Sequence, residues 1–363
     1  MVKVKKNTKY KYTFILVLIL ASGLLTACNT KNNVVVKANE IEDVAVEANE
    51  TAMGTVISQK VYGANGQVAI DKAFERIKYL ETLLTFNASE GDIYNLNQNA
   101  GKNKVELNPI TIKVMRKAQQ VAELSQGAFD ITIGPLVKSW GIGTGNERIP
   151  SEEELHNLLP LTDYKDLEID DHTAFLKNPG QMVDLGGIAK GYAGDEAIEI
   201  YKNNGIKSAF INLGGNVVTL GSKPDGSPWT VGIRNPRKEE AAGGDQIIGT
   251  VKVRDKAVVT AGDGERFVVK DGTRYHHILD PHTGYPAQSD LMSVTLVTDS
   301  SFDADALDTA VFILGFEKGK ALLQEYGGIE AIFITTDKKI YVTDGLKSSF
   351  NLLEGSNDYQ VIE

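Results

Sequence analysis

Apolar positions recur at helical spacing in the first part of the chain. Ile70, Phe74, Ile77, Leu80 and Leu84 fall three or four residues apart, with Asp71 near the start, and predict an amphipathic helix. A second helix is predicted from Pro109, a good first-turn residue, to a stop at Gly127. A third runs from about Ile188 to Asn204 and is closed by Gly205; a fourth covers roughly Phe302 to Tyr326. Strand-like runs lie at Ser208 to Asn212, Thr230 to Ile233, Ile247 to Val253, Ala257 to Thr260 and Phe267 to Lys270. Further ones lie at Ser293 to Thr298, Ala331 to Thr335 and Lys339 to Thr343. From about 229 to 298 the strands are joined by turns such as Asp263-Gly264 and Asp271-Gly272, with no helix between them. Asp337-Lys338 joins two more near the end. Such connections favour antiparallel pairing, and strands segregated from helices predict an α+β fold rather than a doubly wound one. There is no internal repeat.

Before residue 51 the pattern changes. Lys3, Lys5, Lys6, Lys9 and Lys11 precede an apolar stretch from Phe14 to Leu20, and then comes Ala21-Ser22-Gly23-Leu24-Leu25-Thr26-Ala27-Cys28. That order of basic run, short apolar run and small residues is a secretory signal, too short for a comfortable membrane span of about 20 apolar residues. Leu25-Thr26-Ala27-Cys28 resembles the bacterial lipobox, in which the cysteine is acylated and the chain is cut before it. The expected organisation is a signal peptide over 1–27, a lipid-anchored tether over 28–50 without clear period, and a folded catalytic domain over 51–363. The expected location is extracytoplasmic, anchored by lipid to the cell membrane. Cys28 is the only cysteine among 363 residues, so no internal disulfide can form and the fold relies on its core.

Composition narrows the chemistry. At 42% apolar and 24% charged the chain is globular, and a formal charge of -10 argues against a nucleic-acid partner. Without the five leader lysines, 33 basic residues face 48 acidic ones, so the rest of the chain stands at -15.

Three constellations carry candidate chemistry. Asp184-Leu185-Gly186-Gly187-Ile188-Ala189-Lys190-Gly191 reads as a strand end, a glycine pair and a helix start, with Lys190 one turn in. Free amides there suit an anion such as a phosphate; a tight turn into a packed helix is the plainer reading. The spacing is neither a dinucleotide fingerprint nor a Walker loop. On a helix, Asp305, Asp308 and Thr309 share one face, a hard-oxygen surface suited to Mg²⁺. An acidic first turn complementing the helix dipole is the alternative. Around Asp280-Pro281 and Thr283-Gly284 a turn leaves one or two of His276, His277 and His282 at its mouth, and no thiolate or helical spacing supports zinc.

Taken in order, six motifs resemble the ApbE family of FAD:protein FMN transferases over about Thr51 to Leu352. They are Ala52-Met53-Gly54-Thr55; Gly127-Ala128-Phe129-Asp130 with Gly134-Pro135-Leu136; and the Asp184 to Gly191 stretch. The others are Asn212-Leu213-Gly214-Gly215-Asn216, His277 to Gly284, and Asp305-Ala306-Leu307-Asp308-Thr309.

The resemblance implies a T-fold-like α+β enzyme that splits FAD with Mg²⁺, moves FMN onto a threonine of a client protein and releases AMP. By the same resemblance Met53, Phe86, Ala128, Phe129, Asp130, Asp184, Lys190 and Leu279 bind FAD, although tyrosine is frequent at the position of Phe86. The metal is expected on Asp305, Asp308, Thr309 and the carbonyl of Gly187. For the proton of the threonine, His277 and a metal-bound carboxylate, Asp305, are both candidates. The client is expected to be exported or membrane-bound. Two other outcomes stay open: hydrolysis of FAD to FMN and AMP, and a non-catalytic flavin-binding lipoprotein.

Overall fold

The computed structural model describes residues 44–237, 247–356 and 358–362. The expected signal peptide, Cys28 and most of the expected tether lie outside the described residues. Seventeen strands, β1 to β17, and seven longer helices, α1 to α7, are found among the described residues. The helices are α1 (Gly66–Leu84), α2 (Asp92–Gln98), α3 (Pro109–Leu124), α4 (Gly134–Trp140), α5 (Glu152–Leu158), α6 (Ala189–Asn203) and α7 (Ser301–Tyr326). Four of them, α1, α3, α6 and α7, match the periodic segments of the sequence.

One large sheet organises the molecule. Its nine strands are, in spatial order, β1 (Ala45–Ala52), β2 (Thr55–Tyr62), β6 (Ser208–Leu213), β7 (Asn216–Leu220), β10 (Ala257–Gly262), β13 (Leu291–Thr298), β14 (Glu330–Thr335), β15 (Lys339–Val342) and β17 (Gln360–Ile362). Every neighbouring pair is antiparallel except β15 with β17. Mixed α+β architecture with an antiparallel-dominated sheet is therefore the observed class.

The period-two rule sorts the two faces of this sheet. Val259, Val294, Leu296, Ala331 and Phe333 share a core with the buried sides of α1, α6 and α7. Val258, Val297, Ile332 and Ile334 point the other way. They pack on a three-stranded sheet of β8 (Trp229–Arg234), β9 (Ile247–Val253) and β16 (Phe350–Leu352), through Trp229, Ile233 and Val251. Strand β13 is buried at all eight positions because both faces are covered, so it reads as a continuous apolar run. A strand bounded by turns carries no signal of which sheet it joins, which is why β8 and β9 were not separable from the main sheet in the sequence.

Two smaller units complete the fold: β3 (Val105–Glu106), β4 (Leu167–Ile169) and β5 (Thr173–Leu176) form one sheet, and β11 (Phe267–Lys270) pairs with β12 (Thr273–His276).

Two expectations need correction. The segment expected as tether up to residue 50 is already strand from Ala45, with all eight residues of β1 paired to β2. Val46, Ala48 and Ala52 on its inward face alternate with Glu47, Asn49 and Thr51, but Glu50 also falls inward, which leaves the strand pattern faint. The fourth helix is not continuous. Gly315 takes φ 80° and ψ -176° and breaks α7 into two helices. Asp290 accepts the amide of Phe316 at 2.9 Å, capping the second half. Among the described residues no helix is long and apolar enough to cross a membrane.

Candidate active site

The first turns of α6 and α7 meet at Gly191, and that contact builds the site. A methyl group at Gly191 would lie 2.2 Å from the carbonyl oxygen of Ser301 and 2.6 Å from Cβ of Asp305, so only glycine permits the approach. Asp195 of α6 reaches across to cap α7, accepting the amides of Ser301 at 2.8 Å and Phe302 at 3.2 Å. The crossing orients Asp305 toward α6.

Asp305 is 3% exposed and held by three donors. The amide of Gly191 donates to its Oδ2 at 2.8 Å; Asn216 Nδ2 and Lys190 Nζ approach its Oδ1 at 2.6 and 3.2 Å. Asp308, one turn on and equally buried, accepts from the Thr309 hydroxyl at 3.2 Å. Burial first, and then the neighbouring Asp305, push the Asp308 carboxyl well above the usual carboxylate range; Lys190 opposes them. Burial pulls the Lys190 ammonium down, but Asp305 and Asp308 outweigh it and the net shift is upward.

The acidic turn thus has two roles. Asp303 faces outward to Lys117 at 2.9 Å, while Asp305 and Asp308 turn inward. Gly187 lies beside them: a methyl group there would be 3.8 Å from the Thr309 hydroxyl and 3.1 Å from the Phe129 ring.

These groups line a cavity of about 510 Å³. Asp184, Gly187 and Lys190 enter it from the start of α6, and Asp305, Asp308 and Thr309 from α7. Met53, at the turn between β1 and β2, and Phe86, just after α1, line the same space. So do Ala128, Phe129 and Asp130 after α3, and His277 and Leu279 after β12. Every site residue expected from the sequence, Cys28 aside, therefore converges on one cavity.

Several of these side chains are spoken for within the protein. Asp130 accepts the amide and hydroxyl of Thr132 at 2.8 and 2.7 Å and the amide of Tyr164 at 2.8 Å, so it braces the loop it stands on. Asp184 accepts the Gly186 amide at 2.8 Å, and burial raises its carboxyl. Met53 has φ 52°, and its amide donates to Glu81 at 2.6 Å.

The three histidines near the turn separate cleanly. His276 is buried, its Nε2 3.1 Å from the carbonyl of Ala287, and burial lowers its pKa. His282 faces solvent beside Asp280. His277 lines the cavity with Nδ1 3.3 Å from the carbonyl of Arg266. A carbonyl can only accept, so this contact favours the proton on Nδ1 and leaves Nε2 with a free lone pair. Burial and then Arg266 bring its pKa down to about 4, so the ring is neutral at physiological pH. The turn that carries it is tied to α4 by Trp140, whose Nε1 donates to the carbonyl of Gly284 at 2.8 Å.

Asn216, Glu81 and Arg266 also line the cavity, and the sequence reading gave them no role. Asn216 ends the Gly214-Gly215 turn between β6 and β7; its place in a quoted motif was the one available signal. Glu81 and Arg266 sit in ordinary helix and strand-edge contexts and carried none.

Known proteins share this fold. The ApbE family profile matches residues 53–333. An FAD:protein FMN transferase of Klebsiella pneumoniae (strain 342) is 36% identical over 313 residues, covering 86% of this chain and 95% of the relative. Another, of Treponema pallidum (strain Nichols), is 35% identical over 324 residues, covering 84% and 88%. Among solved structures, the ApbE protein of Thermotoga maritima superposes with a TM-score of 0.73 at 31% identity, over 87% of this chain and 99% of the other. Pseudomonas stutzeri flavinyl transferase ApbE in its apo form gives 0.71 at 30% identity, over 81% and 92%. A matched profile over most of the chain, relatives matched over most of their length and the same fold together place the chain in the ApbE family.

Proposed function

We propose that the protein transfers FMN from FAD to a threonine of an exported client protein, with Mg²⁺ as cofactor and AMP as the second product. The observation that carries this reading is the Asp305, Asp308 and Thr309 face set against the start of α6 inside one cavity. The names of the relatives support flavin transfer to protein.

The residues present fit a hard cation. Asp308 is a buried carboxylate raised by a second one beside it, an arrangement that a cation would relieve. The oxygen donors on offer are the Asp305 and Asp308 carboxylates and the Thr309 hydroxyl, with Gly187 lining the same cavity, and such a set suits Mg²⁺. Mg²⁺ held there would neutralise charge on the pyrophosphate.

The chain's own groups account for the rest. The start of α6 favours negative charge, and Lys190, paired with Asp305, adds a cation to that wall. The threonine oxygen attacks the FMN-side phosphorus and forms a P–O bond. The bond from that phosphorus to the bridging oxygen breaks, and AMP leaves with that oxygen. His277 Nε2, neutral and unprotonated, takes the threonine proton. Positioning and electrostatics carry most of such a transfer, which suits a cavity with few reactive groups.

Acylation of Cys28 after the Leu25-Thr26-Ala27 stretch would hold the enzyme on the outer membrane face, near exported clients. Incubation with FAD, Mg²⁺ and candidate exported proteins tests the whole reading. The expected result is an FMN-sized mass gain on a threonine-containing peptide that survives denaturation. Release of free FMN and AMP with no client gaining mass would establish hydrolysis instead.

A further inference from the structure

Asp305 cannot be a free ligand, because the protein already occupies most of its lone pairs. Its Oδ1 receives both Lys190 Nζ at 3.2 Å and Asn216 Nδ2 at 2.6 Å, and its Oδ2 receives the Gly191 amide at 2.8 Å. A carboxylate offers about four acceptor sites. Three are taken, and the one that remains is on Oδ2. Two of the three donors belong to α6; the third, Asn216, comes from β7 on the sheet.

We infer that Asn216 is a positioning residue for the cation site: its amide fixes the rotation of the Asp305 carboxylate, so that the one acceptor site left for a cation is on Oδ2. Several observations support the assignment. Asn216 is 4% exposed, so its amide needs a partner, and the 2.6 Å contact supplies it. Its side chain reaches from a rigid strand, flanked by the β6 pairing of Leu213 with Asn216 itself. Lys190 cannot do the same work. Its ammonium is a rotatable point charge at the longer distance, and it also lies within 3.4 Å of the Gly186 carbonyl. Without Asn216, Oδ1 would be held by Lys190 alone, and the rotation of the carboxylate about the Gly191 contact would be less sharply defined. Residues that orient metal ligands through hydrogen bonds act in this way.

This inference rests on the Mg²⁺ reading above, and the test separates the two. Mg²⁺ alone, without FAD or client, is titrated calorimetrically into wild type, Asn216→Leu and Asn216→Ser, with melting curves of the metal-free proteins alongside. Leucine keeps the volume and removes the amide; serine keeps a small polar group and guards against a leucine variant that fails to fold. The expected result is a Kd for Mg²⁺ raised about 10- to 100-fold in the folded variants, the range seen when such orienting partners are lost. A variant that melts like wild type and binds Mg²⁺ with unchanged Kd overturns the inference while leaving the metal reading intact. Wild type that binds no Mg²⁺ removes the metal reading and the inference with it.

Discussion

The two walls of the cavity are built on opposite plans. The helix wall is over-determined: α6 and α7 touch where no side chain fits, Asp195 caps the second helix from the first, and Asp305 is gripped by three donors. The loop wall consists of turns: Met53 at a hairpin, Phe86 after a helix, Leu279 and His277 beside the Asp280 turn. The paired carboxylates stand on the over-determined wall. Two adjacent carboxylates repel, and only a rigid frame holds them in place for a cation. Apolar contact with a large ring system needs shape more than exact angles, and loops can supply that.

The largest effect that would test this contrast is expected at Asp308. Its carboxyl is raised by burial and by Asp305, so in the metal-free protein its charge opposes folding at neutral pH. The sign follows from linkage. A folded pKa above the unfolded one costs stability as pH rises through the unfolded value, up to the folded value. We expect Asp308→Asn to lower flavin transfer on the order of 10³-fold, the scale for losing a principal electrostatic group. The same variant should melt higher than wild type without divalent cation, and should lose any rise in Tm on adding Mg²⁺. Equal melting temperatures in the metal-free state would mean that the wall is not under repulsion.

Next comes the loop wall. With the His277 pKa brought down to about 4, the base form is already present across neutral pH. The rate should therefore be flat from about pH 6 to 8, its acid limb lying near 4 rather than near the ordinary 6.5. His277→Gln should reduce transfer by roughly 10²-fold or more while FAD binding, followed by flavin fluorescence, changes little. An acid limb near 6.5 in the wild-type profile would show that the ring is less desolvated than its surroundings imply.

How much of this was legible in the sequence differs between the walls as well. Periodicity located α1, α3, α6 and α7, and the shared face of Asp305, Asp308 and Thr309 follows from helical spacing alone. What periodicity could not show was direction. The turn of Asp305 into the start of α6 depends on Gly191, two helices meeting from segments more than 100 residues apart in the chain. Asn216 carried no local signal of a role for the same reason, since its partner Asp305 stands 89 residues away in the chain. On the loop wall, the order of motifs in a family resemblance, not local pattern, pointed to Met53, Phe86 and Leu279. The break at Gly315 was hidden because apolar residues continue through it, and β1 because its inward side chains are small apart from Glu50, which is charged.

Gly191→Ala probes the helix contact without removing a charged group. The added methyl meets backbone at 2.2 Å, which no rotamer can relieve, so the helices must separate. Overpacking of this kind costs about 1–3 kcal/mol and should appear as a lower Tm, with transfer falling alongside because Asp305 loses the amide that holds Oδ2. A variant as stable as wild type would show that the two helices can slide, and that the helix wall is no stiffer than the loops.

The smallest effect is expected at the far end of α7, and it bears on whether the stiffness is local. Asp290 caps the helix that restarts after Gly315, accepting the Phe316 amide at 2.9 Å. Its removal in Asp290→Ala should cost about 1 kcal/mol, the usual worth of an N-cap. Yet the carboxylates lie in the first half, before the break, and that half carries its own cap from Asp195 and its own packing against α6. Transfer should then stay within about twofold of wild type at temperatures below the transition, since the cap's contribution falls on the second half. A drop in rate matching that of Gly191→Ala would mean that the two halves move as one rod and that Gly315 isolates nothing. Retained rate with lowered Tm assigns the break a purpose: it ends the rigid wall where the chemistry ends.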